Sequence, residues 1–213
     1  MVKTVVLVSG GGTNLQAILD SLTDGRIKNC EIAAVISSSP DAYALTRAEK
    51  AGVPTKVVDV KEYPDRQKYT DAVERVCREV GAELIVLAGF LYVLSPSFSE
   101  TYENKVINIH PALIPSFCGN GAYGLRVHKK ALAYGVKVSG ATSHFVVAEA
   151  DAGPIILQKA VKVEEDDTPE VLQRRIMEQA EWVILPESIS LFCQGRLVVE
   201  GRRVRILPEV NEK

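Results

Sequence analysis

The chain has 213 residues, 46% hydrophobic and 24% charged, enough for one large globular domain with an ordinary core. A formal net charge of −2 leaves no basic footprint for nucleic acid, and the runs Lys129-Lys130 and Arg202-Arg203 read as solvated surface. Four scattered cysteines (Cys30, Cys77, Cys118, Cys193) without a Cys-x-x-Cys pair argue against zinc or a redox dithiol, and no apolar stretch is long enough for a signal peptide core or a bilayer span, so a reduced, cytoplasmic protein without metal or membrane partner is expected.

Thr4 to Val8 is a largely apolar, β-branched run, as a strand buried on both faces of a parallel sheet requires. It leads into Ser9-Gly10-Gly11-Gly12-Thr13-Asn14 and a helix from about Leu15 that carries Leu15, Ile18 and Leu19 on one face. Strand, glycine loop and helix start aim free backbone N–H groups at an anion. No Lys-Ser/Thr follows the glycines, so this is not a Walker loop. Leu15 stands where a dinucleotide fingerprint has its third glycine, and the second strand ends in Ser37-Ser38-Ser39 rather than an acid. A single phosphate held by Gly12, Thr13 and Asn14 fits better; a ligand-free turn and helix cap is the alternative.

Glu31 to Ser37 predicts the second strand, Ala42 to Ala51 the second helix, and Lys56 to Val60 a third strand. After Pro64, residues Tyr69, Ala72, Val73, Val76, Cys77 and Val80 form an apolar stripe at helical spacing, with Gly81 just past the end. Leu84 to Leu87 is the fourth strand, followed by the apolar cluster Phe90 to Leu94. Strands alternating with helices predict a doubly wound, Rossmann-like, mostly parallel α/β sheet.

The segment Val106-Ile107-Asn108-Ile109-His110-Pro111 predicts a buried strand that turns Asn108 and His110 to one face and ends at a proline. Ser116 to Gly124, with glycines at 119, 121 and 124, reads as an exposed mobile loop, and Arg126 to Tyr134 as a helix carrying His128 outward. Lys137 to Val147 and Ile155 to Val163 should pair antiparallel at one side of the sheet, joined through Asp151-Ala152-Gly153-Pro154. Thr168-Pro169 caps the last helix, which Pro186 should kink or end, and Leu197 to Leu207 forms a terminal hairpin.

In such a sheet the Gly12 loop, the Phe90 cluster, Asn108 with His110, and the Asp151 loop can meet at one crevice beyond the strand ends. A carboxamide, an imidazole and a carboxylate around one point suit acyl transfer through a tetrahedral intermediate. Asn108 would hold the oxyanion, His110 would donate a proton, and Asp151 would raise the His110 pKa.

On Ser9 to Gln16, Leu87-Ala88-Gly89-Phe90, Asn108-Ile109-His110-Pro111 with Leu113-Ile114-Pro115, His144-Phe145-Val146, and Asp151-Ala152-Gly153-Pro154, the chain resembles the glycinamide ribonucleotide formyltransferase family along nearly its whole length. The resemblance implies a single formyltransferase domain over 1–213, with a nucleotide-phosphate-binding half (1–100) and a folate and catalytic half (101–213). It implies transfer of the formyl group of 10-formyltetrahydrofolate, as co-substrate and without metal, to the amine of glycinamide ribonucleotide, by a monomer or homodimer. Gly12, Thr13, Asn14, Gly89, Pro111 and Glu181 would contact the ribonucleotide. Arg66, Leu91, Tyr92, Val93, Leu94 and Asn108 would contact the folate, with Asn108, His110 and Asp151 as the catalytic set. Tyr92 and Glu178 depart from the residues common in relatives, and Cys118 to Leu125 is longer, either as a flap or as an inert insertion. The alternatives are a deformylase that hands the formyl group to water, and a non-catalytic folate or nucleotide-binding module.

Overall fold

The computed structural model describes residues 1–209, and among them nine strands form one sheet in the order β3-β2-β1-β4-β5-β6-β7-β9-β8. The first five strands, β1 (Val2–Val8), β2 (Cys30–Ser37), β3 (Thr55–Val57), β4 (Leu84–Leu87) and β5 (Val106–His110), pair in parallel. Chain order runs outward from β1 to β3 on one side and from β4 to β5 on the other, so the switch point lies between β1 and β4. Strands β6 (Val138–Phe145) and β7 (Ile155–Lys162) continue antiparallel, as their short connection demands. The hairpin of β8 (Leu197–Glu200) and β9 (Arg203–Ile206) closes the same edge through one parallel pairing, Ile155 with Arg203.

Alternation along β1 sends Val6 and Val8 to one face of the sheet and Val5 and Leu7 to the other. On the first face they meet Leu15 and Ile18 of α1 (Thr13–Thr23), Ala44 and Ala48 of α2 (Tyr43–Lys50), and Leu185 and Ile189 near the chain's end. On the second face they meet Tyr69, Val73 and Cys77 of α3 (Arg66–Glu79), as the apolar stripe predicts. Each fully buried Leu or Ile stabilises the fold by roughly 1.5–3 kcal/mol. With both faces covered, the sheet's carboxyl edge is open to a ligand.

Three local readings need correction. Residues Val60–Glu62 form a 3₁₀ turn rather than the end of β3, because Asp59 accepts from the Lys61 amide at 3.0 Å and starts a new turn. A short helix α4 (Pro96–Thr101), not expected from the sequence, begins at Pro96 and buries Phe98 against the second core face. His128 does not point outward from α5 (Leu125–Tyr134); it is fully buried with Val127 and Ala131. Residues 127, 128 and 131 share one helical face, so spacing outweighs polarity. Burial, then repulsion from His110, pushes the His128 imidazole down to about 4.

The last helix is not ended at Pro186. It runs as α6 (Pro169–Ile176), a π turn over Met177–Glu181, and α7 (Trp182–Cys193) with Pro186 inside. The proline ring crowds the carbonyl four residues back, on Trp182, and Trp182 is where ψ moves to −2°. The adjustment thus falls at the junction with the π turn.

Gly12 takes φ 71° at the start of α1, and a Cβ there would lie 2.7 Å from both Cα and Cβ of Ala44. Gly11 has nothing within 4 Å of the same position. Gly12→Ala should therefore lose roughly 2–4 kcal/mol in urea denaturation, from backbone strain and forced contact, with Gly11→Ala within about 1 kcal/mol of the parent.

Candidate active site

A cavity of about 400 Å³ opens at the carboxyl edge across the switch point. Its lining includes Thr13, Asn14, Gly89, Leu91, Tyr92, Val93, Leu94, Asn108, His110, Pro111, Asp151 and Glu181. Gly12 and Arg66 do not line it: Gly12 is turned toward Ala44, and Arg66 is exposed on the first turn of α3.

Asn108 and His110 share a face at the end of β5, as alternation predicts, and the antiparallel register sets His144 of β6 opposite Asn108. Asp151 reaches the same point from the turn after β6, in a left-handed conformation with φ 54°. That turn is pressed against the sheet, since a Cβ on Gly153 would lie 1.7 Å from the Phe145 carbonyl oxygen. The Gly119 amide donates to Asp151 Oδ2 at 2.9 Å. His110 Nδ1 stands 3.5 Å from Oδ2, and His144 Nε2 3.6 Å from Oδ1. Asn108 Nδ2 lies 3.2 Å from His144 Nε2 and 3.4 Å from Asp151 Oδ1. His144 Nδ1 faces the Phe145 carbonyl at 2.8 Å, which assigns its proton to Nδ1 and leaves Nε2 to accept from Asn108.

Burial alone would raise the Asp151 carboxyl, but the neighbouring His144 and His110 rings and the Gly119 amide outweigh it and hold the pKa below the ordinary value. Asp151 lifts the His110 pKa, as expected, but burial outweighs it and the net shift is downward. Burial pushes His110 below 6.5, and the attraction of Asp151 and the hydrogen bond to the Phe117 carbonyl only partly offset it. Both ring nitrogens nevertheless face acceptors, Nε2 at 3.0 Å from the Phe117 oxygen and Nδ1 toward Asp151. A proton taken up at Nδ1 thus has a carboxylate beside it.

The Ser116 to Gly124 loop is not an inert insertion. Phe117 and Gly119 hold the two acidic and basic partners just described, and residues 119–124 line the cavity. Its glycines at 119, 121 and 124 take φ of 84°, 77° and 52°.

Glu181 lies at the other end of the cavity, buried rather than on a solvated helix face. Three wall residues, Gln173, Met177 and Glu181, are spaced by four. In a plain α-helix each step of four drifts about 40° around the axis. The wider π turn takes more residues per revolution and brings Glu181 back under Gln173. Asn14 Nδ2 donates to Glu181 Oε2 at 2.7 Å, while Asn14 Oδ1 meets no partner among the described residues. Burial pushes the Glu181 carboxyl up to about 7, against the lowering effect of Asn14. A protonated Glu181 can offer its O–H to the unmet Asn14 oxygen, so acid and amide satisfy each other.

Sequence reasoning missed His144, Gln173, Met177 and the loop tip at Tyr123. His144 stood on the right face of its strand, but only the pairing register reveals Asn108 as its neighbour. Tyr92 packs its ring 5.9 Å from Tyr69 and 6.1 Å from Phe90, forming an aromatic wall.

Residues 2–189 match the family model described as formyl transferase. The phosphoribosylglycinamide formyltransferase of Haemophilus influenzae is 39% identical over 92% of this chain and 90% of its own. The trifunctional purine biosynthetic protein adenosine-3 of Gallus gallus is 45% identical over 93% of this chain, which spans 19% of that longer protein. Among solved structures, glycinamide ribonucleotide transformylase 1 from Symbiobacterium toebii is 48% identical with a TM-score of 0.91, covering 98% of this chain and 95% of that one.

A carboxyl with a raised folded pKa binds its proton more tightly folded than unfolded. Its contribution is full below about 4.5 and is lost as pH rises through about 7. Glu181→Gln keeps the amide pairing without the titration. The variant should gain stability relative to the parent between pH 5 and 8, on the order of 3 kcal/mol in urea denaturation. A pH-independent difference would refute the buried neutral carboxyl.

Proposed function

Because the chain belongs to the formyl transferase family, we propose that it transfers the formyl group of 10-formyltetrahydrofolate to the amine of glycinamide ribonucleotide. The observation that carries this reading is the meeting of Asn108, His110 and Asp151 in one cavity between an uncapped helix start and the Leu91 to Leu94 segment. No side chain caps α1, so its first-turn N–H groups at Gly12, Thr13 and Asn14 are offered to the ribonucleotide phosphate. Glu181 and Asn14 present an acid and an amide to the polar groups between phosphate and amine, with Gly89 and Pro111 lining the way. The folate enters along Leu91 to Leu94, and its carboxylate tail leaves toward Arg66, one helical turn from Tyr69.

The amine nitrogen attacks the formyl carbon, and the carbonyl electrons move onto oxygen. Asn108 Nδ2 is the donor for that oxyanion, in a buried setting where such a contact is worth far more than in water. With its pKa lowered by burial, His110 is mostly neutral near pH 7 and takes the proton that the attacking nitrogen gives up. Asp151 steadies the imidazolium so formed. The oxyanion then re-forms the carbonyl as the carbon–N10 bond breaks, the bond's electrons go to N10, and the proton passes from His110 to that nitrogen. Products are formylated ribonucleotide and tetrahydrofolate, with no net proton change.

Purified protein with both substrates should yield tetrahydrofolate in equal amount to formylated ribonucleotide. Release of formate without ribonucleotide would instead indicate water as the acceptor, and no turnover by folded protein would overturn the enzyme reading. His110→Ala should lower kcat/KM by roughly 10²–10⁴-fold and Asn108→Ala by about 10²–10³-fold. The rising acid limb of kcat/KM should lie below pH 6.5 and move lower still in Asp151→Asn, because the carboxylate raises the His110 pKa against burial. An unmoved limb would reduce Asp151 to shaping its turn.

A further inference from the structure

The segment that follows β4 is tied to the protein at two points only a few residues apart. At its start, the Leu91 amide donates to Ser9 Oγ at 3.0 Å. Ser9 is the last residue before the glycine loop, and its oxygen also accepts from buried Ser38 Oγ at 2.8 Å. At the end, the Ser95 amide donates to Thr70 Oγ1 at 2.9 Å. Thr70 is fully buried on α3 and passes its own proton to the Arg66 carbonyl at 2.8 Å. Between these ties, the main-chain N–H and C=O groups of Tyr92, Val93 and Leu94 meet no protein partner among the described residues, although all three residues line the cavity. Tyr92 and Val93 are exposed at the cavity, so these backbone groups are open to a ligand.

We propose that Ser9 and Thr70 are positioning residues that pin the two ends of this segment, so that the suspended backbone of Tyr92 to Leu94 reads the donor and acceptor edge of the folate's fused ring. The proposal rests on the folate reading above and adds to it the two hydroxyls that hold the segment at Leu91 and Ser95. Ser9 reaches across the switch point from the strand that carries the glycine loop. Thr70 reaches up from the helix beneath. Neither hydroxyl touches the ligand; each fixes the chain that does. Tyr92 adds its ring to the Tyr69 and Phe90 cluster, which orients the middle of the segment without consuming its backbone groups.

Steady-state kinetics of the full chain test this with Ser9→Ala, Thr70→Val and the double variant. Each single variant should raise the KM for 10-formyltetrahydrofolate roughly three- to tenfold, the net worth of one hydrogen bond, while kcat changes by less than about twofold. In Thr70→Val the KM for the ribonucleotide should not move. The double variant should rise by less than the product of the singles, because releasing either end already frees the segment. Ser9→Thr and Thr70→Ser keep the hydroxyls and should restore the folate KM. Ser38→Ala, which loses a donor to Ser9 but leaves the Leu91 contact in place, should not change it. Unchanged folate KM in folded Ser9→Ala and Thr70→Val, with normal saturation of the parent, overturns the pins alone. A parent chain that shows no saturable dependence on the folate sinks the folate reading and the pins with it. Where thermal melts show that Ser9→Ala does not fold, the Thr70 pair decides.

Discussion

Everything at the carboxyl edge depends on one buried carboxylate. Asp151 has 13% of its side chain exposed, and an ionised group so placed is tolerated only if donors surround it. The Gly119 amide and Asn108 Nδ2 stand as donors at 2.9 and 3.4 Å from its oxygens, with the His110 and His144 rings within 3.6 Å. Those partners come from β5, β6 and the 116–124 loop, while the carboxylate itself comes from the turn after β6. Removing the charge would loosen four pieces of chain at once. The left-handed backbone at Asp151 is the local strain that this arrangement sustains, and the missing side chain at Gly153 lets the turn press against Phe145.

The cavity sorts its acids by environment. Asp151, ringed by donors, is held ionised, whereas Glu181, with one amide donor and full burial, is pushed toward its neutral form near pH 7. Two carboxyls with opposite shifts in one cavity allow two tasks, one electrostatic and one of neutral hydrogen bonding. His110 lies between the extremes. Burial favours the neutral ring and two acceptors favour the charged one, which is the balance that a group passing a proton back and forth requires.

How far the sequence could be read follows from the range of each interaction. The apolar run at Thr4 to Val8, the stripe on α3 and the alternation at Asn108 and His110 are local patterns, and they emerged as elements with the right faces. The Rossmann-like architecture followed from their alternation. His144 required knowledge of which residue sits across the strand pair. Glu181 required a π turn, for which hydrophobic spacing carries no signal. His128 was misjudged because a polar side chain outweighed its own helical spacing, whereas at Pro186 the expected stop did not occur and the expected adjustment did, upstream at Trp182. The direction of the His110 shift was missed for a different reason. A neighbouring carboxylate can be guessed from motifs, but the degree of burial that opposes it is a property of the assembled fold.

The central claim is that an ionised Asp151 organises a mostly neutral His110, while the Phe145 carbonyl fixes the tautomer of His144. Nitrogen-15 NMR of histidine-labelled protein, followed across pH, reads both directly. The account predicts that His110 titrates below pH 6.5 and that the His144 proton resides on Nδ1. A His110 ring that stays charged above pH 7, or a His144 ring protonated at Nε2 instead, would contradict it.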